Sequence, residues 1–86
     1  MVQNGVMSEI FLTNWSKGLD YLIKNSRLKS REIAEMATIT PRHLSNIKRG
    51  HAKPSHDLME NISEVMGYTS EQIAQIGRAV HEGRRP

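Results

Sequence analysis

Apolar residues recur along this chain at helical spacing in five separate runs. Trp15, Leu19, Leu22 and Ile23 stand at i, i+4, i+7 and i+8, which predicts a first helix from Thr13 or Asn14 to about Asn25. Ile33, Ala34 and Ala37 form the inner stripe of a second helix and Leu44 and Ile47 that of a third, with Ile39 filling the corner between them. Leu58, Ile62, Val65 and Met66 give a fourth helix its inner face, and Ile73, Ile76, Ala79 and Val80 repeat along a fifth over residues 71–82. Leu28 anchors the loop Asn25-Ser26-Arg27 to the core. The pattern predicts an all-α, compact five-helix domain.

The boundaries carry their own chemistry. Ser30 is placed to cap the second helix, with Glu32 and Glu35 near its positive end. Thr40 is placed to cap the third, where Pro41 takes the first helical position and its missing N–H costs nothing. Gly50 ends that helix and Gly67 the fourth, which starts at Ser55 with Asp57 in its first turn. Tyr68-Thr69-Ser70 opens the fifth. Small Ala34 lets the second and third helix axes approach closely. Gly77, inside the fifth helix, costs about 1 kcal/mol relative to Ala and predicts close contact with another helix, within the domain or across a dimer.

Charge changes this picture more than composition does. The 86 residues suffice for one core, read as a lead-in at 1–9, a domain at 10–82 and a basic tail at 83–86. The chain has no cysteine, so disulfides, thiolate metal sites and thiol nucleophiles are excluded together. No apolar run is long enough to span a membrane, and the default is a cytoplasmic protein. Residues 27–53 hold seven basic residues against two acidic ones, whereas 1–26 balance at zero and 54–86 carry −2. The outer positions of the third helix (Thr40, Pro41, Arg42, His43, Ser45, Asn46, Lys48, Arg49) include no carboxylate, which points to a polyanion.

The spacing of Ile33-Ala34, Ile39, Leu44 and Ile47, closed by Arg49-Gly50 and followed by Lys53-Pro54-Ser55, resembles the helix-turn-helix of the phage-repressor and Cro family, the lambda repressor-like domains. The resemblance covers about residues 19 to 76. One position departs: the family usually has Gly in the turn where this chain has Thr38, and a β-branched residue with positive φ is strained by roughly 1 kcal/mol or more.

The resemblance implies a transcriptional regulator of repressor type, from a bacterium or phage, reading an operator in double-stranded DNA. Thr40, Pro41, Arg42, Ser45 and Asn46 then face the bases, with Arg42 suited to guanine and Asn46 to adenine. Lys29, Ser30, Arg31, His43, Lys48, Arg49, His51 and Lys53 face the phosphates. It also implies a homodimer paired through the last helix (Ile73, Ile76, Ala79, Val80) on an inverted repeat, with half-site centres about 34 to 36 Å apart. Two other readings remain: an antitoxin whose DNA binding is autoregulatory, and a protein-interaction module that uses the last helix as its contact surface. His43, His51 and His56 lack the i, i+4 spacing of strong zinc motifs, so no metal or cofactor is expected. With no phosphate loop and no nucleophile turn, no enzyme is expected either.

Overall fold

The computed structural model describes residues 9–84. It contains five α-helices, α1 (Glu9–Lys24), α2 (Ser30–Met36), α3 (Pro41–Lys48), α4 (His56–Met66) and α5 (Ser70–His81), and no strand among the described residues. The expected lead-in lies outside them except for Glu9, which opens α1. That helix therefore starts four residues before Thr13, and Ile10, Phe11 and Leu12 form its first turns. Phe11 and Leu12 pack against the core, while Ile10 remains 76% exposed.

Two glycines decide how the outer pair of helices meets. A Cβ on Gly18 would stand 1.9 Å from the carbonyl oxygen of Ile73, and one on Gly77 would stand 1.6 Å from that of Asn14. Each glycine thus lies on the other helix's backbone, and each stands one turn beyond the residue whose carbonyl meets the other glycine. Gly77 is explained within the domain and needs no dimer. The same crossing corrects the reading of Ile73 as a dimer contact: its side chain is fully buried in the core of a single chain. Ile76, Ala79 and Val80 stay half-buried.

The core joins all five helices through Trp15, Leu19, Ile33, Leu44, Ile47, Met59, Ile62 and Ile73. On α4 the inner stripe is Met59, Ile62 and Ser63, with Leu58, Val65 and Met66 at its margin, a rotation from the expected face. Ser63 explains it. The Trp15 indole N–H, buried with its ring, donates to Ser63 Oγ at 3.0 Å, and the Ser63 hydroxyl donates in turn to the Met59 carbonyl at 2.8 Å. A buried polar donor is thereby satisfied, which in an apolar interior decides whether its burial is tolerable.

Helix ends follow the expected chemistry with one shift. Thr40, Ser55 and Thr69 cap α3, α4 and α5 by accepting from His43, Leu58 and Gln72 N–H. At α2 the cap is Lys29 rather than Ser30: its backbone N–H donates to the Glu32 carboxylate at 2.8 Å, and Ser30 is the first helical residue. Four helices end in one pattern, a 6→1 and a 5→2 backbone hydrogen bond around a left-handed residue. In three that residue is Gly50, Gly67 or Gly83; after α2 it is Thr38, at φ 62°. Ile39, packed on the core, and Asn61, whose side-chain amide donates to the Ala37 carbonyl at 3.2 Å, brace this turn from two sides. Beyond α5, Glu82 takes ion pairs from Arg78 and Arg84, and hydrogen bonding from Arg78 holds its carboxyl below the usual range. Residues 83 and 84 of the expected tail are therefore tied to α5, and 85–86 lie outside the described residues.

Two substitutions test these points in urea unfolding followed by circular dichroism. In an open helix Gly→Ala adds about 1 kcal/mol; Gly77→Ala is expected to remove more than about 3 kcal/mol, beyond ordinary overpacking, and a stabilised variant would refute the backbone contact. Thr38→Gly is expected to raise stability by about 1 kcal/mol, the strain of a β-branched residue in this region; a loss would show that the Thr38 side chain supports the turn.

Candidate nucleic-acid interface

α3 is anchored on one side and open on the other. Leu44 and Ile47 are fully buried, and the opposite side carries Arg42, Ser45, Asn46 and Arg49 at i, i+3, i+4 and i+7. At about 3.6 residues per turn these four form one stripe, centred roughly half a turn from the two anchors. Arg42 and Arg49 are exposed and make no ion pair among the described residues. Ser45 and Asn46 are half-buried at the foot of the stripe. Thr40 and Pro41 are exposed at the helix entry, and the Thr40 hydroxyl oxygen accepts from His43 N–H at 3.0 Å, which leaves its O–H and its second lone pair for an outside partner.

The cations around this helix are not equally free. Lys29, Arg31, His51 and Lys53 are exposed, and His43 is half-buried beside the cap. The Lys48 ammonium donates to Ser30 Oγ at 3.0 Å, tying the last turn of α3 to the first turn of α2. Two residues read separately from the sequence thus form one contact, and the hydroxyl that would have capped α2 serves α3 instead. Lys53 Nζ lies 3.0 Å from the Glu9 carboxylate. Nothing in the sequence signalled that pair, because 44 positions separate its members and helix α1 begins earlier than its apolar period indicates.

Acidic residues on α4 are gathered elsewhere. Asp57, Glu60 and Glu64 line an open groove with Tyr68, Thr69 and Gln72, and no α3 residue contributes to it. Glu60 also accepts from the Ser70 hydroxyl at 2.6 Å, which fixes the start of α5 against α4. No group of three potential metal ligands comes together among the described residues. No helix among them is long and apolar enough to cross a membrane.

This arrangement of α2, turn and α3 coincides with a known family, since the helix-turn-helix model matches residues 21–73, from the middle of α1 into α5. The chain belongs to the helix-turn-helix family of the Cro and C1 type. As a member of that family it is classed among DNA-binding transcriptional regulators. In this helix-turn-helix domain α3 occupies the position of the second helix of the motif. Its fold is similar to two crystal structures of the clp gene regulator ClgR from Corynebacterium glutamicum. One aligns with TM-score 0.73 and 19% identity over 80% of this chain and 88% of that one. The other aligns with TM-score 0.72 and 20% identity over 85% and 81%. At these identities the likeness concerns the fold. No curated protein matches the chain.

Proposed function

We propose that this helix-turn-helix protein is a repressor-type regulator that lays α3 in the DNA major groove. The observation that carries this reading is the acid-free stripe of Arg42, Ser45, Asn46 and Arg49, held rigidly outward by the buried Leu44 and Ile47. Unpaired Arg42 has the geometry for a bidentate contact to guanine O6 and N7, and Asn46, one turn on, for adenine N6 and N7. Ser45 supplies a shorter hydroxyl between them, and Thr40 and Pro41 meet the groove at the helix entry.

Phosphate contacts fall to the flanks. Lys29, Ser30 and Arg31 border the start of α2, with Lys48 joined to them through Ser30. His43, Arg49, His51 and Lys53 border α3 and the loop after it. These groups orient the domain and set affinity without selecting sequence. The half-buried Ile76, Ala79 and Val80 on α5 are the surface through which two copies would pair on an inverted repeat, and Ile73 takes no part.

The division of labour is testable by fluorescence anisotropy on a duplex selected from a random pool. Arg42→Ala is expected to cost about 1 to 3 kcal/mol on the selected site and to relax choice at one base pair. Lys53→Ala is expected to weaken selected and random duplexes alike and to flatten the salt dependence. Identical effects of both variants on both duplexes would reject the assignment, and absence of any duplex affinity at low salt would reject DNA binding itself. For the dimer, Val80→Asp is expected to yield a folded monomer in sedimentation equilibrium; a wild type that occupies its selected site as a monomer would exclude pairing.

A further inference from the structure

Among the described residues, Glu9 is the one carboxylate in ion contact with a cation of the DNA-facing set; the other ion pairs join Lys24 to Asp20 and Glu82 to Arg78 and Arg84. Its position is fixed by the fold. Glu9 opens α1, where a negative charge is favoured by the helix dipole. The first two turns of α1 (Glu9, Leu12, Thr13, Ser16) and the segment after α3 (Gly50, Ala52, Lys53, Pro54) line one small cleft. Pro54 is buried and Ala52 packs on the core, so the segment carrying Lys53 is held beside α1.

The pair is unsuited to a stabilising role. Both side chains are largely exposed, at 71% and 82%, and exposed ion pairs contribute little to folding because water and salt screen them. Its consequence lies in what the ammonium can reach next. A carboxylate 3.0 Å away occupies one donor of Lys53 with an anion on the same side of the molecule as a duplex would approach, and it repels the incoming phosphate.

On this basis we infer that Glu9 is an intramolecular competitor for the phosphate site of Lys53, a built-in brake on DNA affinity. The inference rests on the proposed role of Lys53 at the DNA backbone. Binding of DNA exchanges the Glu9 carboxylate for a phosphate at that ammonium. The brake acts on any duplex equally, because the backbone offers the same anion everywhere. It keeps a small basic domain from accumulating on unspecific DNA while leaving base reading on α3 untouched.

The test measures binding of the full chain to a short random-sequence duplex as a function of salt, comparing wild type with Glu9→Gln. Glu64→Gln, on the α4 groove, removes the same unit of charge and serves as the control. Glu9→Gln is expected to tighten binding about two- to fivefold at moderate salt, the range open to an exposed pair. The slope of log K against log salt should stay nearly the same, because after the exchange Lys53 neutralises the same phosphate in both proteins. Glu64→Gln should change affinity much less. Equal gains from both variants would assign the effect to net charge and overturn the inference. Unchanged or weaker binding by Glu9→Gln would overturn it too, the latter by showing that Glu9 orients Lys53 for the phosphate. If wild type binds no duplex even at low salt, the DNA-binding reading falls and this inference with it; if wild type binds and only the Glu9 result fails, the reading stands alone.

Discussion

Where α1 crosses α5, Gly18 and Gly77 remove the side chains that ordinarily keep helix axes about 8 to 10 Å apart, and each helix rests on a carbonyl of the other. Two glycines in helix interiors weaken both helices locally, so the contact between them has to return more than it costs. It does so by bringing Ile73 fully into the core alongside Trp15 and Leu19 and by bringing the end of α5 against the start of α1. With α1 and α5 joined, the Trp15–Ser63 hydrogen bond fixes α4 to the same frame. α2 and α3 are then held from behind through Ile33, Ala34, Leu44 and Ile47, and α3 has no freedom to rotate its outer stripe inward.

The turn between α2 and α3 also sets this frame against local backbone preference. Thr38 is held in a left-handed conformation that the chain elsewhere assigns to glycine. The neighbouring Ile39 is drawn into the core and the Ala37 carbonyl is bonded from α4, so the surrounding structure over-determines the turn. The angle at which α3 leaves the domain is therefore fixed by tertiary contacts rather than by the intrinsic preference of the turn residue. The Lys48–Ser30 bond adds a second fastening at the far side of the same two helices.

Much of this is legible in the residues themselves. Pro41 after Thr40 marks the start of α3 because only one helical position tolerates proline and only a few residues cap it, and Gly50 and Gly67 mark ends for a similarly narrow reason. The start of α1 was not legible: Ile10, Phe11 and Leu12 are consecutive apolar residues without a period, and Thr13 and Asn14 imitate caps inside what is a continuous helix. Ser30 misled for a related reason, since a serine hydroxyl satisfies a distant lysine as readily as a neighbouring N–H. Spacing placed Ile73, Ile76, Ala79 and Val80 on one face of α5 but could not divide them between core and surface. The signal that would have done so was the presence of glycine inside two different helices. The Glu9–Lys53 pair left no trace, because an exposed ion pair across 44 residues depends on geometry that no local pattern encodes.

The position of Trp15 gives the domain an optical property that the outer side of α3 lacks. It is the chain's single tryptophan, sealed in the centre with its nitrogen bonded to Ser63 and no surface on α3. Emission from that ring reports the integrity of the interior and stays silent about events on the outer stripe. A variant that loses affinity while its spectrum keeps the native maximum has therefore been altered at the surface, whereas a red-shifted spectrum places the damage inside.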